Sequence, residues 1–478
     1  MPSFRTLFFP RHDQRLALAT ASAEGKGLPA PRRYVALATI LLGLTLAVLD
    51  GTIANVALPS IARHFHAEAA ESIWIVNGYQ LAIVMSLLPL AALADIYGYR
   101  TVYLGGVVLF TAASVACILA ESMEALTAAR IAQGLGAAGL MAVNMSMLRF
   151  SVARGRFGAA IGVNAMVVAV ASTVGPVLAG AILSVASWHW LFAINIPLGL
   201  LTLLIGVPSL PETLRRKRRF DWLSALLSAI GIGLVIMVID GIGAKLPLYV
   251  TGLQILGCIL CFVLQIRHER GSDSPMLPVD LLRIPIFSLS ICTSILSFTT
   301  QFLAFVSLPF LLQSVMHFSP TMVGMLMTPW PLAVAVTAPL SGRMSDRYPP
   351  AILGGVGLLC LSAGMLALGL MQEDAQIWDI AWRMALCGAG FGLFQAPNNR
   401  AMQEATPMER TGAASGMMGT ARLTGQSVGA ALVALMLHKL GLWGATGALL
   451  LGSVFAFLAA IASMSRLVAS KAKPKTGD

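Results

Sequence analysis

The stretch that decides the fold is residues 34–58, YVALATILLGLTLAVLDGTIANVAL, an apolar run in which Asp50 is the only charged side chain. A helix needs about 20 such residues to cross a lipid bilayer. Comparable runs, with at most two charges each, occupy 101–120, 189–210 and 221–241. Of the 478 residues in the chain, 57% are hydrophobic and 11% are charged, which is too little charge for a soluble protein of this size. Because the runs are continuous and do not alternate, they predict membrane helices and not a membrane barrel.

Apolar blocks separated by charged or turn-rich joints predict fourteen membrane-spanning helices. The blocks lie near 34–58, 73–92, 101–120, 124–148, 157–184, 189–210, 221–241, 246–267, 286–312, 320–342, 350–371, 377–399, 412–437 and 441–465. With the N-terminus inside, only Arg63, Lys245 and Lys439 of the 32 basic residues fall in outer loops. Basic residues collect on the cytoplasmic side of membrane proteins, so we expect both termini there. The net charge of +11 has this explanation and does not point to nucleic acid.

An internal repeat divides the chain into two similar parts. Four short segments recur in the same order further along, and Asp95 matches Asp346 while Arg130 matches Arg383. Spans 1–6 therefore correspond to spans 9–14 in the same orientation, with spans 7 and 8 inserted between them. The predicted domains are a cytoplasmic tail (1–33), a six-helix half (34–210), an inserted pair of helices with their loops (211–285), a second six-helix half (286–465) and a cytoplasmic tail (466–478).

Asp50 and Arg130 are the first candidates for chemistry, because ionisable groups inside membrane helices are costly and are usually functional. Asp50 precedes Pro59 near the outer end of span 1, and Arg130 lies early in span 4. At about 1.5 Å per residue both lie roughly 10 Å below the outer surface, so they can meet if spans 1 and 4 are neighbours. Competition between a proton and a cationic substrate for Asp50 would couple their exchange. A static ion pair that fixes helix packing is the alternative.

Two further arginines lie inside predicted spans. Arg383 can pair with acids near the outer surface such as Asp379, which favours a structural role at least as much as a functional one. Arg422 lies near the midplane of span 13, with Gln426 one turn further along. An arginine at that depth must face water or an acid across the bundle, so Arg422 either lines a cavity or has a structural partner.

Several patterns in the sequence exclude other functions. Gly134–Gly139 fits the spacing of a dinucleotide-binding loop, but no strand precedes it and it lies within an apolar span. Cys258 and Cys261 have the spacing of a metal pair but also lie in an apolar span. No phosphate-binding loop is present, so we expect no cofactor, no metal and no enzymatic activity. The energy for transport would come from an ion gradient, such as the proton motive force, or from the substrate's own gradient.

The motifs resemble those of the fourteen-span drug:proton antiporters of the major facilitator superfamily. Asp50–Pro59 resembles the signature of their first span, and Arg130 with Gln133–Gly136 resembles their span-4 motif, whose arginine is assigned to proton transfer. Gly175–Gly180 resembles their span-5 antiporter motif, and Trp188–Gly199 resembles their span-6 signature. The resemblance implies an all-α integral membrane protein with the major facilitator fold, two six-helix halves and two inserted helices.

The resemblance also implies which residues govern conformational change. The loop after span 2 keeps Asp95, Gly98 and Arg100 of the family's loop motif, although Ala91 and Ile96 depart from it. The residues assigned to this role are Asp95, Gly98, Arg100, Gly175, Pro176, Gly342, Asp346 and Arg347.

The chain looks most similar to exporters of quaternary ammonium compounds, dyes and methyl viologen in the bacterial cytoplasmic membrane. Its partners would then be small cations, protons and membrane lipid, and whether an outer-membrane partner receives the cargo is left open. Aromatic and polar side chains around an acid suit such cations. The candidates for this cavity are Asp50, Trp74, Tyr79, Phe302, Trp330, Phe394, Arg422 and Gln426. Export of an endogenous metabolite by the same fold, a membrane-embedded enzyme and a passive channel are the alternatives.

Overall fold

The computed structural model describes residues 26–66, 74–213, 219–243, 247–270, 275–318, 320–372, 374–441 and 443–471. Within these ranges every regular element is helical, which confirms the predicted all-α class. Residues 1–25 and 472–478, which form most of the two predicted tails, lie outside the described ranges.

Nine α-helices lie within the described ranges up to residue 268. They are α1 (Ala30–His64), α2 (Trp74–Tyr97), α3 (Tyr99–Ile118), α4 (Met123–Ser151), α5 (Phe157–Val185), α6 (His189–Ala193), α7 (Asn195–Ser209), α8 (Trp222–Gly243) and α9 (Leu248–His268).

Eight more α-helices follow. They are α10 (Val279–Leu282), α11 (Pro285–Phe310), α12 (Pro320–Met327), α13 (Pro329–Met344), α14 (Pro350–Gly369), α15 (Ile377–Ala405), α16 (Thr411–Leu440) and α17 (Trp443–Lys471). A π-helical turn, Leu311–Val315, extends α11.

Twelve helical segments of the described chain are long and apolar enough to cross a membrane, two fewer than the sequence predicts. The other two predicted spans fall on α8 and α15. The apolar stretch of α8, Trp222–Val238, is shorter than the others. Helix α15 has 29 residues but carries Asp379, Arg383 and Arg400, which lower its mean hydropathy.

Two compact units divide the chain. The first unit comprises Met1–Phe157, Val170–Ala229 and Met408–Gly419. The second unit comprises Gly158–Ala169, Ile230–Pro407 and Thr420–Asp478. The boundary passes through α5 and α16, so each of these helices contributes residues to both units.

Short breaks between helices determine where several side chains point. Gly98 alone connects α2 to α3, and its φ of 95° is a conformation that favours glycine. Ile194 alone separates α6 from α7, so that Asn195 becomes the first residue of a new helix. Thr328 separates α12 from α13, directly before Pro329. The breaks at Ile194 and Thr328 fall within predicted single spans, whereas Gly98 lies between predicted spans 2 and 3.

In the first unit α3 and α4 pack closely because glycines face each other. A Cβ atom on Gly106 would lie 2.8 Å from the carbonyl oxygen of Gly136 and 3.2 Å from Cα of Gly139. Real Cβ atoms essentially never come that close, so only glycine permits this approach. The contact holds α4, which carries Arg130, directly against α3, which carries Ser114.

Candidate functional site

Asp50 and Arg130 form a buried ion pair in the first unit. Nη1 of Arg130 lies 2.5 Å from Oδ2 of Asp50, and the two side chains are 0% and 2% exposed. Nε of Arg130 donates to the carbonyl oxygen of Ile75 at 3.2 Å. Asp50 of α1, Arg130 of α4 and the backbone carbonyl of Ile75 in α2 therefore meet at one place. The ion pair as a whole is electrically neutral.

Two amide side chains complete the environment of the carboxylate. Nε2 of Gln133 donates to Oδ1 of Asp50 at 3.0 Å, and Nδ2 of Asn195 donates to the same oxygen at 2.8 Å. Nε2 of Gln133 also lies 2.8 Å from Oγ of Ser114, and Oε1 of Gln133 accepts from Arg130 at 2.5 Å. Four helices thus contribute side chains to one network, which we call the Asp50 network: Asp50, Ser114, Arg130, Gln133 and Asn195.

Two aromatic rings cover the guanidinium of Arg130. Its Cζ lies 4.1 Å from the centre of the Tyr79 ring and 5.5 Å from that of Phe192. The hydroxyl of Tyr79 donates to the carbonyl oxygen of Ala47 at 3.0 Å, which fixes the ring against α1. Such contacts stabilise a cation electrostatically and hold the guanidinium plane in place. Tyr79 is therefore a neighbour of the ion pair and is itself fully buried.

Some hydrogen-bonding capacity in the Asp50 network is unused. Nη2 of Arg130 and Oδ1 of Asn195 are both buried without a hydrogen-bond partner in the described structure. A buried donor and a buried acceptor of this kind are costly in a static packing element. They can be satisfied when a water molecule or a polar group of a substrate enters the site. The arrangement can therefore exchange a proton at Asp50 while it keeps Arg130 solvated by protein groups.

Gln133 and Asn195 lie within the span-4 and span-6 motifs, but the sequence predicts no role for either residue. Their common signal is an amide inside an apolar span, which is weak because an amide carries no charge.

The remaining cavity candidates lie in different environments. Trp74, at the start of α2, is 52% exposed. Trp330 and Phe394 are fully buried in the core of the second unit, and Phe302 is half-buried there. Arg422 and Gln426 are also half-buried, and the Arg422 guanidinium lies 5.8 Å from the centre of the Phe298 ring. The structure brings only Tyr79 of these candidates into contact with the Asp50 network.

Arg383, the repeat counterpart of Arg130, has an ion-pair partner of its own. Its Nη2 lies 2.7 Å from Oδ2 of Asp379, one helical turn earlier in α15. Its Nη1 donates to the carbonyl oxygen of Ala367 at 2.6 Å. This geometry links α15 to α14 and is consistent with a structural role.

The loop after α2 is held by polar contacts in the first unit. The Tyr99 hydroxyl donates to Oδ1 of Asp95 in a very short hydrogen bond and accepts from the backbone N–H of Gly412 at 2.9 Å. Gly412 lies in the first turn of α16, so the acidic group is close to the positive end of that helix. Arg100 pairs with Glu212 at 2.7 Å.

The second copy of this loop motif has a different pairing. Nη1 of Arg400 lies 2.6 Å from Oδ1 of Asp346, while Arg347 is exposed. Burial raises the pKa of Asp346 above its ordinary value, and the Arg400 charge opposes this shift only in part. The backbone of Gly342 packs directly on Gly158, where a side chain would clash.

Gly175 of the span-5 motif packs against the side chain of Thr52, so α5 and α1 are in close contact there. Pro176 follows it in α5, and the side chain of Pro176 lies outside the described part of the structure.

Comparisons with known proteins agree with this fold. The sequence profile of the Major Facilitator Superfamily matches residues 40–430 and 289–477. The chain is 47% identical over 452 residues to the "Uncharacterized transporter YebQ" of Escherichia coli (strain K12), covering 94% of this chain and 99% of that protein. It is 34% identical over 408 residues to the "Multidrug resistance protein Stp" of Mycobacterium tuberculosis (strain CDC 1551 / Oshkosh), covering 82% of this chain and 73% of that protein.

Among solved structures, the human organic anion transporter MFSD10 (TETRAN) matches with a TM-score of 0.66 and 14% identity, covering 91% of this chain and 100% of that chain. At this identity the similarity shows the fold alone.

The helices that can cross a membrane, together with the matching family profile, make this chain a multi-pass membrane transporter. The chain belongs to the major facilitator superfamily, and it is a transporter of small molecules and not an enzyme.

Proposed function

We propose that this protein is a proton-coupled antiporter that exports amphiphilic drugs from the bacterial cytoplasm. The observation that carries the proposal is the Asp50 network, in which a buried carboxylate accepts hydrogen bonds from one cation and two amides. A proton that binds Asp50 removes the negative charge that holds Arg130. Arg130 then depends on Gln133, Ile75 and the ring of Tyr79, which gives the site two distinct states.

The two states supply what alternating access requires. The deprotonated state has a closed ion pair that ties α1 to α4, and the protonated state releases that tie. Because Gln133 and Asn195 connect the same carboxylate to α3, α4 and α7, a change at Asp50 reaches four helices at once. In the proposed cycle the proton enters from outside as the substrate leaves. Exchange follows because the proton and the substrate occupy the site in turn.

Amphiphilic cations are the first substrate class of the proposal. This assignment rests on the resemblance of Asp50–Pro59 and its companion motifs to those of cation exporters. The similarity to a multidrug resistance protein supports drug export as the activity.

The proposal includes the fourteen-span topology, with the inserted pair at 211–285 between halves 34–210 and 286–465 and with both termini in the cytoplasm. Support comes from α8 and α15, which are helical at the positions of the two spans beyond the twelve. Reporter fusions placed after α7, α8 and α9 test this topology. Fusions after α7 and α9 should report the cytoplasm, and a fusion after α8 should report the outside. The same side for all three would contradict the inserted pair.

The experiment for the activity is ethidium efflux from bacterial cells that lack their own exporters. Wild type is compared with Asp50→Asn, with and without a protonophore, at equal amounts of protein in the membrane. The matched control is Asp379→Asn, which also removes an ion-paired carboxylate, but one that is 34% exposed and lies in the other unit.

We expect protonophore-sensitive efflux by wild type and by Asp379→Asn, and its loss in Asp50→Asn. Efflux by Asp50→Asn at the wild-type rate would show that proton coupling does not use Asp50. If wild type moves neither ethidium nor other cations, the protein exports a different class of molecule, such as a metabolite.

A further inference from the structure

Arg422 lies deep within α16, far from either end of the helix. It is the twelfth residue of Thr411–Leu440, so at about 1.5 Å per residue it lies roughly 16 Å from the start of the helix. An arginine that reaches toward a membrane surface does so from near a helix end. Lipid headgroups are therefore poor partners for this guanidinium, and its position requires a different explanation.

Close packing of α16 on α11 determines where Arg422 points. A Cβ atom on Gly425 would lie 2.8 Å from Cβ of Phe298 and one on Gly429 would lie 2.7 Å from Cβ of Phe302. The hydroxyl of Thr299 donates to the carbonyl oxygen of Gly425 at 3.1 Å. Because the two helices are held this tightly one turn after Arg422, its side chain is held beside Phe298.

Among the described residues, the guanidinium of Arg422 has an aromatic neighbour, but its Nε has no hydrogen-bond acceptor. Its Nε is buried without a hydrogen-bond partner, and no carboxylate in the described ranges lies within 4.0 Å of it. Two fully or almost fully buried arginines differ in this respect. Arg130 pairs with Asp50, and Arg466 donates to Ser290, Asn398 and Ser463.

A series of aromatic rings continues from Arg422 into the second unit. The ring centres of Phe298 and Phe391 are 5.4 Å apart, and those of Phe391 and Trp330 are 6.4 Å apart. Nε1 of Trp330 is a second buried donor without a partner in the described structure. We call the rings of Phe298, Phe391 and Trp330 the aromatic series. With Nε of Arg422 and Nε1 of Trp330 it combines apolar rings with two hydrogen-bond donors, and it includes no negatively charged residue.

We propose that Arg422 binds the anionic oxygen of an aromatic amphiphile, a carboxylate or a phenolate. Cζ of Arg422 lies 5.8 Å from the centre of the Phe298 ring, and a guanidinium group can make a bidentate contact with an oxyanion. The aromatic ring of the ligand would then pack beside the rings of Phe298 and Phe391. This assignment goes beyond the proposed export of cations, and it does not depend on the direction or the coupling of transport.

The test is equilibrium binding of two dyes with similar ring systems and opposite charge. Fluorescein is an anionic xanthene, and tetramethylrhodamine methyl ester is a cationic one. Binding of each dye to the purified full-length protein is measured by fluorescence anisotropy in nanodiscs of zwitterionic lipid. Wild type is compared with Arg422→Met, Arg422→Lys and the control Arg267→Met, which removes one positive charge at an exposed helix end.

We expect Arg422→Met to weaken fluorescein binding by about tenfold or more, the fold-change of a lost charge-assisted hydrogen bond, relative to its effect on the cationic dye. Arg422→Lys should recover only part of this affinity, because an ammonium group cannot make the bidentate contact. Arg267→Met should shift neither dye relative to the other.

Three results would overturn the assignment. Wild type could fail to bind fluorescein, Arg422→Met could weaken both dyes equally, or fluorescein affinity could be the same in all variants. Repeating the measurement in nanodiscs with anionic lipid separates a lipid ligand from a soluble one. A lipid headgroup bound at Arg422 would compete with fluorescein, whereas at a site for soluble anions the lipid would not compete. Loss of ethidium efflux in the earlier experiment would leave these binding results unchanged, so failures of the two proposals can be told apart.

Discussion

Alanine at Gly106 should separate α3 from α4 and disturb the Asp50 network, whereas alanine at Gly105 should not. The built Cβ of Gly106 would lie 2.8 Å from the carbonyl oxygen of Gly136, while a Cβ on Gly105 meets nothing within 4 Å. Both glycines lie in α3, where alanine is favoured over glycine by about 1 kcal/mol in each case. The difference between the two variants therefore isolates the cost of the clash.

The magnitude follows from the size of the clash. Ordinary van der Waals contact begins at 3.4 Å, so the helices must move apart by roughly 0.6 Å for the methyl group to fit. A gap of about 0.5–1 Å forfeits about a quarter to a half of the contact energy of the facing atoms. Overpacking of this kind costs about 1–3 kcal/mol. At roughly 2–4 °C per kcal/mol, Gly106→Ala should unfold about 2–12 °C below Gly105→Ala.

The assay is thermal unfolding of both purified variants in the same detergent, followed by ethidium efflux at matched expression. Efflux should also fall in Gly106→Ala, because the 2.8 Å contact between Gln133 and Ser114 joins the helices that would separate. Equal unfolding midpoints for the two variants would refute the packing argument. A lower midpoint with undiminished efflux would show that the α3–α4 contact stabilises the fold without positioning the Asp50 network.

Two further predictions concern polar contacts. Asn195→Ala removes one of the three hydrogen bonds that Asp50 accepts. It should lower the initial rate of protonophore-sensitive efflux by about tenfold, since a hydrogen bond to a charged group contributes about 1.5–3 kcal/mol. A rate within about twofold of wild type would contradict this prediction. Arg400→Gln should lower the unfolding midpoint more at about pH 7 than at about pH 4. Burial raises the pKa of Asp346 above its ordinary value. A carboxyl group with a raised pKa contributes stability at low pH that is lost as the pH rises through its folded-state pKa. Without the Arg400 charge, which opposes the shift, this loss of stability is larger. Equal losses at both pH values would contradict the second prediction.

The helical fold could be predicted from the sequence because apolar runs report directly on burial in lipid. A contact between Asp50 and Arg130 could be predicted on condition that spans 1 and 4 are neighbours, since the rise of a helix places the two residues at similar distances from the ends of their helices. The structure places the two side chains 2.5 Å apart. The predicted count of fourteen spans exceeds the twelve segments found by length and hydropathy, because α15 carries several charges and the apolar part of α8 is short.

The rest of the candidate site depends on geometry that the sequence does not express. Asn195 donates to Asp50 although 145 residues separate the two in the chain, and no local pattern marks that contact. Aromatic residues were equally hard to assign. Tyr79 lies against Arg130, whereas Trp330 is buried in the core of the second unit, and composition alone does not say which face of a helix each residue occupies.

The cancellation of charge between Asp50 and Arg130 has an electrical consequence for the proposed cycle. Without a bound proton the pair has no net charge, so its movement relative to the membrane field performs almost no electrical work. With a proton on Asp50 the site carries one positive charge, and moving one charge through 100 mV is worth about 2.3 kcal/mol. An inside-negative membrane potential therefore favours the step in which the protonated site turns toward the cytoplasm, and in the outward step it acts only on the charge of the bound substrate.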